Sequence, residues 1–345
     1  MGLRQLIAGL LVAASLYPGC SKEPESQAAL KNNSSSPISV YFAPCKPDDR
    51  DGIDDKLAEF VSSAKQSIDA ACYDIDLENV TDAIINAHKT GKKVRIVTDS
   101  DSINQQIKRL REAGVAVVED NRKGLMHNKF CIVDSKEVWT GSFNWTANCA
   151  YKNDNNAVVV RAEGVAKNYL DEFEEMFSGV FGKGEPTKNP VVKIDDIVVE
   201  SYFAPEDNVA ELLEKKIRKA EKSIRFMMYR FTNNELAFAM VGRKIPVYGI
   251  IEEQQHTKGT WAIFSYAGGR KDVTVTLDSN PRMMHHKVIV FDDEIVVTGS
   301  YNLSKSAEEK NDENALVIRH RETAGKFVKE YERLSGGQEA EQSDD

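Results

Sequence analysis

Hydrophobic and polar positions in this 345-residue chain follow two alternating periods. Ile38-Ser-Val-Tyr-Phe42 is a β-rich run, stopped by Ala43-Pro44. Ile53, Leu57, Phe60, Val61 and Ala64 then recur at helical spacing. Ile68–Tyr73 predicts a buried strand, Val80 to Ala87 a helix, and Val94–Val97 a strand ending at Asp99. Residues 103–113 predict a helix and 115–118 a strand. Apolar residues 130–133 prolong an extended segment from His127, and Val138–Thr140 leads into Gly141-Ser142. A strand at Ala157–Val160 and a helix carrying Tyr169, Phe173 and Phe177 close the first half. Strands alternating with helices predict α/β layers.

The same order then returns. Residues 182–196 hold Gly and Pro and predict a linker. Tyr202-Phe-Ala-Pro205 answers Tyr41-Phe-Ala-Pro44, Tyr229 answers Tyr73, and Glu252 stands where Asp99 stood. The strongest agreement lies in Met126-His-Asn-Lys-Phe-Cys-Ile-Val-Asp134, closing on Gly141-Ser-Phe-Asn144. It recurs 158 residues later as Met284-His-His-Lys-Val-Ile-Val-Phe-Asp292, closing on Gly299-Ser-Tyr-Asn302. Asn153 and Asn311 keep that offset. One His-x-Lys carries little information; two in identical register, each followed by Gly-Ser-x-Asn, point to shared chemistry.

On an extended segment His127 and Lys129 share one face, while Asp134 falls on the other. A phosphodiester repels nucleophiles, so a site must neutralise its charge, supply a nucleophile and protonate the leaving oxygen. His127, Lys129, His285 and Lys287 provide this together, with Ser142, Asn144, Ser300 and Asn302 as hydrogen-bond donors. The chemistry requires no metal or other cofactor, and no Cys/His cluster has metal-ligand spacing.

These paired motifs resemble the phospholipase D superfamily, the HKD phosphodiesterases, over residues 38 to 334. The resemblance implies two homologous α/β lobes, 38–181 and 197–334, related by a pseudo-twofold axis with the active site at their interface. It implies a ping-pong reaction through a covalent phosphohistidine, and a structural turn role for Asp134 and Asp292. It also implies an acid that orients the neighbouring histidine. Glu313 fits that role for His285, and Asn155 replaces it for His127. Because Asn does not favour imidazolium, His127 is expected to be the neutral nucleophile and His285 the protonated acid. His88, His320 and His286 read as structural, with His286 facing away from His285.

Composition narrows the partners. A net charge of -9 argues against coating long nucleic acid, though Arg122, Lys123, Lys152 and Arg282 leave room for a local basic mouth. Cys45, Cys72, Cys131 and Cys149 align with Glu206, Met228, Ile289 and Ala307 in the second half, so the fold needs no disulfide. A Cys45–Cys149 bridge stays open. Arg4, the apolar run Leu6–Leu16 and Cys20 read as a signal peptide of lipoprotein type over residues 1–20, with Cys20 the lipidation site. Residues 21–37 form a polar tether and 335–345 a disordered tail. The expected protein is exported to a bacterial cell envelope, where a lipid anchor holds it at a membrane. Hydrolysis of phospholipid head groups to phosphatidate is the favoured reaction. The alternatives are a metal-independent endonuclease acting on nucleic acid and cardiolipin synthase-type transfer. Residues 141–146 and 305–314 are similar to one-motif endonucleases and cardiolipin hydrolases that act as dimers. The fused repeat therefore predicts a complete site in a monomer.

Overall fold

A computed structural model describes residues 36–47 and 51–336. Cys20, the leader, nearly all of the tether and residues 337–345 lie outside the described residues. The first half runs β1 (Ile38–Ala43), α1 (Ile53–Ser62), β2 (Ser67–Cys72), α2 (Glu78–Lys89), β3 (Lys93–Thr98), α3 (Gln105–Glu112), β4 (Ala116–Glu119), β5 (Lys129–Val133), β6 (Glu137–Gly141), α4 (Ala147–Tyr151), β7 (Asn155–Arg161) and α5 (Glu163–Phe177). After β8 (Val191–Ile194) the second half repeats it. Its elements are β9 (Ile197–Ala204), α6 (Val209–Lys219), β10 (Ile224–Met228), α7 (Asn234–Val241), β11 (Val247–Ile251), α8 (Lys258–Ala267), β12 (Val273–Leu277), β13 (Lys287–Phe291), β14 (Ile295–Gly299), α9 (Lys305–Glu309), β15 (Glu313–Arg319) and α10 (Arg321–Ser335).

One sheet has the order β1-β7-β6-β5-β2-β3-β4. The other is β12-β11-β10-β13-β14-β15-β9-β8, the same order read backwards with β8 added. In each, three parallel strands adjoin an antiparallel meander. The segment expected to be linker is thus partly strand, because Val191–Ile194 pairs with Ile197–Glu200 and extends that edge.

Each β5–β6 type hairpin turns through two residues with positive φ, Asp134-Ser135 and Asp292-Asp293. That conformation matches the strand twist and suits Asp. Asp134 accepts the N–H groups of Lys65, Gln66 and Ser67, and Asp292 those of Glu221, Lys222 and Ser223. Both acids therefore close the turn onto the preceding strand, away from the motif histidines.

Helices α1–α3 cover one face of the first sheet, and α6–α8 the outer face of the second. Helices α5 and α10 lie where the sheets meet, in one shared core: Phe130, Tyr169 and Phe173 pack with Phe203, Phe327 and Tyr331. Burying side chains of this size stabilises by about 1.5–3 kcal/mol each, so the lobes form one unit and the residues at their seam are held rigidly. No described helix is long and apolar enough to cross a membrane.

Candidate active site

Strand pairing sets the site. Lys129 opens β5 opposite Cys72 at the end of β2, and Lys287 opens β13 opposite Met228 at the end of β10. The histidines, two residues earlier, therefore project beyond the strand ends. Each is fixed by the other lobe: His127 N–H donates to Asp312 O (3.0 Å) and His285 N–H to Asp154 O (2.8 Å). These backbone links form two matching bridges, Met126 with Asp312 and Asp154 with Met284. Asp99 and Glu252 accept the N–H groups of Met126 and Met284, at 2.9 and 2.6 Å.

This crossing overturns one expectation. Glu313 does not orient His285; its Oε2 lies 2.7 Å from His127 Nδ1. Asn155 Oδ1 instead lies 2.9 Å from His285 Nδ1, which also faces Ser142 O at 3.1 Å. The downstream strand of each lobe, β7 or β15, reaches over the seam and serves the histidine of its partner. Both rings thus hold Nδ1 on oxygen acceptors, which fixes the Nδ1–H tautomer and leaves Nε2 free.

The serines are also displaced from their expected role. Ser142 and Ser300 are fully buried behind the histidines. Ser142 Oγ donates to Asn155 Oδ1 (3.0 Å), and Ser300 Oγ bonds to Glu313. The preceding glycines explain this. Gly141 and Gly299 have φ of 149° and 143°, and a Cβ there would meet Asn156 O or Asn314 O at 2.4 or 2.3 Å. Only glycine lets β7 and β15 approach this closely. Asn144 and Asn302 do line the pocket, and their Oδ1 atoms are buried without a partner. Since amide orientation is interchangeable, each offers a free donor or acceptor to a bound group.

The pocket, about 600 Å³, contains His127 and His285 together with Tyr73, Tyr229, Lys123, Arg230 and Lys310. Among the described residues no carboxylate lines it. The tyrosines, matched across the repeat without an assigned role, prove to be part of the site. Lys129 Nζ sits 4.8 Å over the Tyr73 ring and Lys287 Nζ 4.5 Å over Tyr229. Each tyrosine also packs edge-on against its motif histidine. Each lysine donates to the carbonyl of its own histidine.

Burial governs the electrostatics. It lowers Lys129 to about 8, with partial compensation from Glu313, and lowers Lys287 far below the usual lysine range, helped by Lys129. Burial lowers His127 despite the opposing Glu313 carboxylate, and lowers His285 further because Lys287 and Lys129 add to it. Burial alone would raise Glu313, but His127 and Lys129 outweigh it, so the carboxyl stays ionised below its usual range. The site thus disfavours positive charge on its own and is primed to accept an anion.

Cys45, Cys72, Cys131 and Cys149 are free thiols, so no Cys45–Cys149 bridge forms. Among the described residues one group has carboxylates close enough for a cation, Glu172, Glu175 and Glu206, and it lies outside this pocket.

The chain matches the model of the cardiolipin synthase PLD-like domain twice, at residues 57–177 and 213–335. It is 29% identical to the mitochondrial cardiolipin hydrolase of Chlamydomonas reinhardtii over 125 residues, which is 35% of this chain and 56% of that protein. The match thus spans little more than half of that hydrolase. The chain is 33% identical to the phospholipase D of Rickettsia conorii over 143 residues, 41% of this chain and 69% of that one. Phosphatidylserine synthase of Haemophilus influenzae superposes with a TM-score of 0.65 at 12% identity, over 86% of this chain and 85% of that one, a likeness of fold. Two matched domains, facing each other across one pocket with both His-x-Lys motifs in place, show that this chain belongs to the phospholipase D superfamily and carries two of its PLD-like domains.

Proposed function

We propose that this phosphodiesterase hydrolyses phospholipid head-group esters to phosphatidate through a covalent phosphohistidine on His127. One observation carries the mechanism: two imidazoles in one pocket, both held as Nδ1–H tautomers, but only one of them on a carboxylate. In the first step the lone pair of His127 Nε2 attacks phosphorus. The P–O bond to the head group breaks, and its oxygen takes the proton from His285 Nε2. In the second step water attacks phosphorus and gives its proton to His285, and the P–N bond electrons return to His127.

The role of His127 follows from charge. Phosphorylation at Nε2 turns the ring cationic, and Glu313, 2.7 Å from Nδ1, stabilises that cation. Asn155 can stabilise it only as a neutral acceptor. His285, depressed by burial and two lysines, is the stronger acid once protonated. Its proton is taken up with the anionic substrate, whose charge replaces the missing carboxylate. His127 is thus the nucleophile for the reverse of the reason the sequence suggested.

The names of the relatives, cardiolipin hydrolase and phospholipase D, support a lipid substrate. The carboxylate-free rim with Lys123, Arg230 and Lys310 supports nucleic acid as a second reading, since three cations suit a chain of phosphates. To test this, the protein is added in EDTA to phosphatidylcholine/cardiolipin vesicles containing single-stranded DNA, beside a His127→Asn control. Phosphatidate release without DNA cleavage is the expected result. DNA cleavage alone would replace the lipid reading with the second one.

A further inference from the structure

His286 is buried completely and takes no part in the chemistry above. It sits between His285 and Lys287, pointing away from the pocket, and its ring meets α10. Its Nε2 lies 3.0 Å from Glu330 Oε1, and its Nδ1 lies 2.9 Å from Asn156 Nδ2. Arg333 holds Glu330 in place from the same helix (Nε to Oε2, 2.8 Å).

Asn156 Nδ2 is turned to His286, and its Oδ1 lies 2.6 Å from Thr298 Oγ1, a hydroxyl that can donate to it. His286 Nδ1 must therefore accept, and its Nε2–H must donate to Glu330. Ser142 Oγ accepts from Asn156 N–H (3.0 Å) and, at 3.4 Å, from Asn156 Nδ2. Its own hydrogen is left for Asn155 Oδ1. Asn155 Nδ2 donates to Cys149 O and Asn153 O, which confirms that Oδ1 faces His285. That oxygen can only accept, so His285 must carry its proton on Nδ1.

We propose that His286 and Glu330 are positioning residues for His285. The series Glu330–His286–Asn156–Ser142–Asn155 stands in for the carboxylate that His285 lacks, and holds its Nε2 toward the scissile phosphate. Around His127 the matching series Asn128–Asn314–Ser300 ends on Glu313, so there the residue that meets the histidine is itself the carboxylate. There the positions equivalent to His286, Glu330 and Arg333 are Asn128, Glu172 and Glu175. Asn128 Oδ1 accepts from Asn314 Nδ2 at 2.8 Å, the same service that His286 Nδ1 gives Asn156. Asparagine is therefore a ready conservative replacement for His286.

The test compares His286→Leu, which removes the acceptor, with His286→Asn, which restores it, and with Glu330→Leu as an independent break. The consequence for rate rests on the phosphodiesterase reading; the consequence for the His285 ring resonances does not. In the full chain labelled with 15N-histidine, long-range 1H–15N spectra should show His285 as a single Nδ1–H tautomer and His286 as Nε2–H. In His286→Leu and Glu330→Leu, the Nδ1–H of His285 should remain, because Ser142 O and Asn155 Oδ1 still accept it, but its 1H and 15N shifts should move as Asn155 loses the series behind it, and His286→Asn should restore them. Turnover of bis-p-nitrophenyl phosphate should then fall about ten- to hundredfold in kcat, with KM within about twofold, and His286→Asn should recover most of it. An Nε2–H His285 in the wild type, or His285 ring shifts unchanged in both leucine variants, overturns the proposal. Absence of wild-type turnover would instead strike the function reading, and the spectra would still decide this one.

Discussion

Glu313→Gln isolates the charge behind His127. The side chain is fully buried, its Oε2 lies 2.7 Å from Nδ1, and Oε1 accepts from Asn311 Nδ2 at 3.1 Å. Gln keeps the size and a hydrogen-bond acceptor and removes only the charge. Placing the imidazolium charge about 4 Å from the carboxylate, at an effective dielectric of about 20, gives a ceiling of about 4 kcal/mol. The excess of a charge-assisted over a neutral hydrogen bond, about 1–2 kcal/mol, gives the floor. At about 1.4 kcal/mol per factor of ten, the first phosphoryl transfer should slow between about tenfold and about a thousandfold. The assay is a rapid-mixing burst with bis-p-nitrophenyl phosphate. Its leaving group needs no proton from His285, so the burst reports His127 alone. A burst within about threefold of wild type in Glu313→Gln would refute the claim that this carboxylate stabilises the intermediate.

The other expectations test separate parts of the site. His285→Asn should keep a burst with the same ester and then stall, because water has no base; steady turnover in that variant would contradict its role. Lys129, lowered to about 8 by burial, is a cation below that pH and neutral above it, so kcat/KM for anionic esters should fall as pH rises through about 8; a profile flat across that value would contradict this. Lys287 is lowered by burial, so the unfolded chain binds its proton more readily and the folded state carries a cost at neutral pH. Lys287→Met should therefore raise Tm by a few degrees while abolishing turnover, and a lower Tm would count against that reading. Asp134, lowered by its three backbone donors against the opposing effect of burial, stabilises the fold above the usual carboxylate range and loses that effect as pH falls through its folded value. Asp134→Ala should cost about 1–2 kcal/mol at neutral pH by denaturant titration, with activity per folded molecule unchanged.

The lobes were legible in the sequence because both copies keep a single offset through motif, glycine and downstream asparagine. The same repeat misled about Glu313. Periodicity shows that two copies exist but not which closes on which, and the bridges from Met126 to Asp312 and from Asp154 to Met284 exchange the partners between lobes. Strand alternation correctly turned His286 away from the pocket. What it meets there, Glu330 on α10, depends on how a distant helix packs against the seam. The serines were misplaced for a related reason: Gly141 and Gly299 bring β7 and β15 against them, a close approach that residue types alone do not reveal.

The mechanism turns on a phosphoryl group carried on one particular nitrogen. The most direct test is to quench the full chain under alkaline conditions during turnover of a phosphodiester, then locate the phosphohistidine by peptide mass spectrometry. His285→Asn, which should stall after the first step, accumulates the intermediate. The adduct should lie on the peptide containing His127, and none should form in His127→Asn. An adduct on His285, or turnover with no phosphohistidine at either position, would contradict it.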